Sequence, residues 1–277
     1  MKIFRSLMIA AVAALGLSAP QPGHAEGIQQ GLSKESVIET IKKRGVLKVG
    51  LSTFVPWAMR DINGNLIGFE VDVATKVAED MGVKVEFVPT AWDGIIPALI
   101  AGKFDVIIGG MSITPSRNLT VNFTTPYAHS SLGAMANIKN SKDLKWPDDY
   151  NAPDITFSCR RGGAPCDYVK KRFPKAVVRL FDDQNQVVQE VLNGNANIML
   201  SSQPLPAFTI YDNPKVVFAP TQELMDASSE AFAVRKGDPD ALNFFDNWIL
   251  LRTNDGWLKE RHDYWFGGRP WADQVGQ

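Results

Sequence analysis

One segment of this chain has the residue types and spacing to hold a small anion: Gly109-Gly110-Met111-Ser112-Ile113-Thr114-Pro115-Ser116-Arg117. Two glycines let a backbone bend sharply and come close to a ligand. Thr114 followed by Pro115 has the chemistry of a helix N-cap and first helical residue. Arg117 then falls in the first turn. The N–H groups of a helix start, the hydroxyl of Ser112 and a guanidinium together suit an anion, and the planar fork matches a carboxylate in bidentate fashion. A Thr-Pro-x-Arg run is short enough to occur by accident on a solvated surface, so the rest of the chain must supply its context. Other chemistry is poorly provided for. Three histidines, one of them His24, and two cysteines in one loop give no metal site and no nucleophilic triad, and no cofactor is implied.

The elements that must position this segment follow from apolar spacing. Residues 46–51 read as a strand. Val71, Ala74, Val77, Ala78 and Met81 have helical spacing, and Gly82 stops the helix. Residues 83–88 resume as a strand. Trp92-Asp93-Gly94 opens a second helix carrying Ile95, Ile96, Leu99 and Ile100, closed by Gly102, and a buried strand over 104–108 runs into Gly109. Alternating strands and helices of this kind make a parallel α/β fold.

Composition limits the partners. With 277 residues, 45% of them hydrophobic, the chain can bury a large core and is long enough for two domains. Lys2 and Arg5 precede an apolar run over 7–17 that leads to Gly23-His24-Ala25, the pattern of a secretory signal peptide cleaved after Ala25. A membrane-spanning helix needs roughly 18 or more apolar residues, and Ser18 and Pro20 interrupt this run too early. The formal charge is -1, removal of residues 1–25 takes away two positive charges, and no sizeable basic run follows, which excludes nucleic acid as a partner. After export, Cys159 and Cys166 meet an oxidising compartment, where a disulfide is permitted. Closing so short a ring would stabilise the fold by roughly 2 to 3 kcal/mol.

These segments resemble the polar amino acid-binding cluster of bacterial periplasmic solute-binding proteins, the receptors of ATP-driven importers. The resemblance runs through Leu47-Lys48-Val49-Gly50, Phe54-Val55-Pro56-Trp57, Gly68-Phe69-Glu70-Val71-Asp72, Trp92-Asp93-Gly94-Ile95-Ile96-Pro97 and the segment from Gly110 to Arg117. It resumes at Ala233-Val234-Arg235-Lys236-Gly237-Asp238-Pro239 and Asp255-Gly256-Trp257-Leu258. The resemblance implies two α/β lobes joined by two crossing hinge strands: residues 26–130 and 227–277 form the first lobe and residues 131–226 the inserted second. Crossings fall near 129–132 and 227–230. It implies a periplasmic monomer that closes over a small carboxylate-bearing solute and meets the membrane permease of an ABC importer.

By the same resemblance, Phe54 and Trp92 are aromatic contacts to the ligand, and Gly110, Ser112 and Arg117 clamp its carboxylate. Trp57 could reach the same cleft, whereas Glu70 and Asp72 serve helix-dipole and packing roles. In the second lobe, Arg160-Arg161-Gly162-Gly163-Ala164-Pro165-Cys166 departs from the family's Gly-Thr-Thr loop. Arg160 and the N–H groups of Gly162, Gly163 and Ala164 remain to face an anionic group. Ser202 stands where amino acid binders place an aspartate for the α-ammonium group, so either another acid supplies that charge, with Glu230 the best candidate, or the ligand is not an ordinary α-amino acid. An alternative reading is an exported enzyme similar to cyclohexadienyl dehydratases. Their general-acid glutamate would fall on Leu205, which has no proton to give.

Overall fold

The computed structural model describes residues 36–275, so the signal peptide and its cleavage after Ala25 lie outside the described residues. The first part of the chain builds one lobe. Helix α1 (Val37–Arg44) leads to β1 (Val46–Leu51), a small hairpin of β2 (Met59–Arg60) and β3 (Leu66–Ile67), α2 (Phe69–Asp80) and β4 (Lys84–Pro89). A single 3-10 turn, Trp92–Gly94, precedes α3 (Ile95–Ile100), β5 (Val106–Ile107), α4 (Pro115–Asn118) and β6 (Asn122–Phe123). The long β7 (Ala128–Asn137) then opens the second lobe, with α5 (Ile138–Ser141), β8 (Thr156–Arg160), α6 (Ala164–Arg172), β9 (Val177–Phe181), α7 (Gln184–Leu192), β10 (Ile198–Ser202), α8 (Leu205–Asp212) and β11 (Val217–Phe218). β12 (Met225–Glu230) leads back to β13 (Ala233–Val234), α9 (Pro239–Asn254) and α10 (Trp257–Phe266).

Each lobe has its own sheet. The first runs β4-β1-β5-β13-β6, with β1 parallel to both β4 and β5 as the βα alternation requires. The second runs β11-β7-β10-β8-β9, and β12 pairs with β7. β7 and β12 lie antiparallel, with Ser130 opposite Ser228, His129 opposite Ser229 and Ala128 opposite Glu230. These are the two expected crossings, and they form one ribbon between the sheets.

The ends of the chain close the first lobe. Asp238, the N-cap of α9, accepts from Ser36 Oγ at 2.9 Å and from the Val37 N–H at 2.7 Å, so one carboxylate ties α1 to α9. Helix α10 is fixed to α2 by Trp265 Nε1, which donates to Asp72 at 2.6 Å. The packing role read for Asp72 is therefore a hydrogen bond between helices.

The sequence leaves Trp57 open between cleft and core. Trp57 is 2% exposed and is core rather than ligand platform. It packs edge-on against Phe69 and Phe266, and Gly110 sits directly over its ring, where an added Cβ would come within 3.0 Å. The two cysteines, Cys159 and Cys166, left open in the sequence, are buried and free in the structure. Cys166 Sγ donates to the carbonyl of Arg160 at 3.0 Å. The neighbouring Cys166 thiol, together with burial, holds Cys159 far above the ordinary thiol range.

Candidate functional site

The glycine-threonine-proline segment folds as its chemistry dictates. Thr114 has extended backbone and its hydroxyl accepts from the Arg117 N–H at 3.2 Å, with Pro115 as the first residue of α4. This cap leaves the Arg117 side chain pointing away from the turn. Its Nη1 donates to the carbonyl of Ser112 at 2.9 Å, and its Nη2 crosses between lobes to the carbonyl of Gly162 at 3.0 Å. Ser112 itself bridges to Glu230, so the clamp segment is pinned to the end of the hinge strand β12.

The facing surface comes from the end of β8 and the start of α6. The Arg160 guanidinium carbon lies 4.6 Å from the centroid of Trp92 and 5.2 Å from that of Phe54, a cation held over two aromatic faces of the opposite lobe. Arg117 stands 5.7 Å from the same Trp92 ring. Gly162 takes a φ of +70° and packs so close to Asp93 that an added Cβ would lie 3.2 Å from its Cα. Gly163 caps α6 without a side-chain hydrogen bond, and Ala164 is the first residue of that helix. The lobes are thus in contact across Phe54, Trp92 and Arg117 on one side and Arg160 and Gly162 on the other.

Charge is concentrated here. Burial pushes Arg160 down to about 10, and the neighbouring positive charge of Arg117 adds to that depression. Burial lowers Arg117 as well, against a partial restoring field from Asp167. Nη1 of Arg160 is buried without a hydrogen-bond partner. The adjacent Arg161 is different: it is exposed and pairs with Asp182 at 2.8 Å.

Other expected residues are placed less directly. Ser202 ends β10, half-buried opposite Leu132. Glu230 is buried, and its Oε1 accepts from Ser130 at 2.7 Å and from Ser228 at 2.6 Å, while Oε2 has no partner. Burial raises its carboxyl above the usual range despite those hydroxyls. The Gly110 N–H, expected to face a ligand, instead donates to Tyr127 Oη at 3.1 Å. Tyr127 was not singled out in the sequence, where only its place between Pro126 and the crossing strand hints at it. A cavity of about 390 Å³ opens beside the clamp, lined by Ser112, Thr114, Ala164, Asp226 and Ser228. A second, of about 450 Å³, lies among His129, Gln203, Ser229, His262 and Phe266. Leu205, the position aligned with a catalytic glutamate, is buried at the start of α8.

The chain is 28% identical over 239 residues to the L-cystine-binding protein TcyJ of Escherichia coli K12, covering 86% of this chain and 89% of that one. It is 24% identical over 246 residues to the cyclohexadienyl dehydratase of Pseudomonas aeruginosa, covering 88% and 91%. Among solved structures, AncCDT-1 is 37% identical with a TM-score of 0.75, over 83% of this chain and 99% of that one. It is described as an ancestral amino acid-binding protein, a precursor of cyclohexadienyl dehydratase, and as an ancestral cationic amino acid solute-binding protein. No described helix is long and apolar enough to cross a membrane. The profile of the bacterial extracellular solute-binding proteins, family 3, matches residues 47–268, and the chain belongs to that family.

Proposed function

We propose that this protein captures a small carboxylate-bearing solute between its lobes in the periplasm, as a monomer, and delivers it to the membrane permease of an ABC importer. The lobes change over at β7 and β12, so that residues 26–130 and 227–277 move against 131–226. The observation that carries the reading is the cross-lobe bond from Arg117 to Gly162. A guanidinium that already bridges two lobes is placed to let a carboxylate bridge them more strongly, because charge-assisted bonds exceed those to a neutral carbonyl. Contacts made from both sides supply the differential affinity that shifts a hinge toward closure. The residues at the lobe contact support the assignment: Phe54, Trp92 and Arg160 present flat faces and charge, not proton-transfer groups.

Calorimetry on the ligand-stripped protein tests this, using amino acids and organic acids beside their methyl esters. The expected result is measurable binding of at least one free acid and loss of binding when its carboxylate is esterified. Equal binding of acid and ester would remove Arg117 as the clamp. Prephenate turnover, followed in the same samples, would replace the receptor by an enzyme.

A further inference from the structure

The relatives of this chain include a cationic amino acid binder, yet its cleft carries an excess of positive charge. Two guanidinium groups, Arg117 from the first lobe and Arg160 from the second, lie over the same Trp92 ring at 5.7 and 4.6 Å. Among the described residues no carboxylate forms an ion pair with either, and Asp167 and Asp183 act on them only at longer range. The slot between Phe54 and Trp92, which could otherwise stack a flat cation, is filled by the protein's own Arg160. A cationic ligand would have to displace that side chain and then sit beside two like charges. Nearby acids do not offset this. Glu230 binds two serines through Oε1, its Oε2 is buried without a partner and burial pushes its carboxyl toward the neutral form, while Ser202 occupies the end of β10 without a charge.

We infer that the cleft selects a short dianion, one carboxylate meeting Arg117 and a second carboxylate or sulfonate meeting Nη1 of Arg160. This rests on the carboxylate-receptor reading above and adds the second charge to it. Among the described residues the buried Nη1 has no partner, and an unmatched buried donor is relieved by an anionic acceptor more than by any neutral one. Because both guanidinium groups lie against one ring, a single small molecule can carry both anionic groups.

The test is a titration series on the stripped wild-type protein with succinate, glutarate and L-glutamate, each beside its closest analogue with one carboxylate fewer: succinamate, glutaramate and L-glutamine. L-Lysine and L-arginine complete the set. The inference requires at least one dianion to bind about tenfold or more tightly than its amide. In Arg160→Gln that ratio should collapse toward one, because the dianion loses far more affinity than its amide. Tighter binding of lysine or arginine than of every dianion would overturn the dianion and leave the carboxylate receptor standing. So would a dianion preference that survives in Arg160→Gln. Failure of every acid in the wild type, with no misfolding by circular dichroism, would overturn both.

Discussion

The hydroxyl of Tyr127 donates to Oε1 of Glu70 inside the first lobe, and both side chains are buried. The same hydroxyl accepts the N–H of Gly110, so a clamp glycine is tied through a phenol to an acid of α2. Burial pushes the Glu70 carboxyl up to about 8, and the nearby Glu230 adds to the rise against the opposing bond from Tyr127. Its role is therefore not the dipole partner expected from its place at a helix start, where an exposed anion is the usual case.

This raises a pH dependence with a definite sign. A carboxyl whose folded pKa lies above its unfolded value holds its proton longer in the folded state, so its contribution is present below about 4.5 and is lost as pH rises through about 8. Glu230, raised in the same direction and facing Ser130, Ser228 and the more distant His129, acts with the same sign. Urea melts of wild type and Glu70→Gln between pH 5 and pH 9 should diverge, with wild type losing up to about 1.4 kcal/mol per pH unit relative to the variant. Parallel curves would mean that Glu70 is ionised throughout.

Backbone geometry gives a second expectation. Gly68 has a φ of +134°, and an added Cβ would lie 2.4 Å from the Trp57 carbonyl oxygen. The Phe69 and Glu70 N–H groups donate to the carbonyls of Pro56 and Trp57, so this approach fixes the Phe54–Trp57 loop against α2. Gly68→Ala should destabilise by about 2 kcal/mol or more in denaturant melts, combining strain with a clash against backbone. A loss below a few tenths of a kcal/mol would show that the loop shifts freely.

The first lobe is legible in the sequence because its signals are local. Gly82 and Gly102 both adopt positive φ where the helical spacing ends, and Thr114 caps Arg117 as the Thr-Pro pair requires. The expected strand over 104–108 is shorter, Val106–Ile107, because Phe104 turns into the core, its ring lying under Gly50. Cross-lobe facts are another matter. Nothing local says that Arg160 will stack on Phe54 and Trp92, which depends on surfaces brought together across the hinge ribbon, and the sealing of Glu70 beneath Tyr127 joins residues far apart in the sequence of the first lobe. Trp57 was ambiguous for the same reason: a large aromatic beside a cleft fills core as readily as it stacks on ligand.

The two cysteines give a direct count. Titration with a thiol reagent should find no reactive thiol in the folded protein, where Cys159 and Cys166 are buried and the Cys159 thiol is held neutral. In denaturant without reductant both should react. A count of zero in denaturant would mean that the pair is bonded in the isolated protein, as the sequence alone permits.

Neighbouring arginines in the second-lobe loop should behave oppositely. Arg161 is exposed, with Asp182 at 2.8 Å and Asp93 at 3.9 Å, a pairing that solvent screens. Arg161→Gln should leave ligand affinity within about twofold and make no measurable change in Tm. A loss comparable with that of Arg160→Gln would locate the specificity in the net charge of the loop and not in the stacked side chain.

Arg117 offers the sharpest contrast between charge and shape. Its two terminal nitrogens serve different lobes at once, Nη1 the Ser112 carbonyl and Nη2 the Gly162 carbonyl. A lysine keeps the charge but concentrates it on one nitrogen, so it cannot span both carbonyls with a fixed fork. Arg117→Lys should therefore retain some electrostatic attraction for an acid yet lose the geometry that couples binding to closure. Calorimetry should show affinity reduced by about tenfold or more, while X-ray scattering with saturating ligand shows a larger radius of gyration than wild type. If the lysine variant binds and closes as wild type does, positive charge alone is sufficient, and the cross-lobe bond to Gly162 is a consequence of closure and not part of its cause.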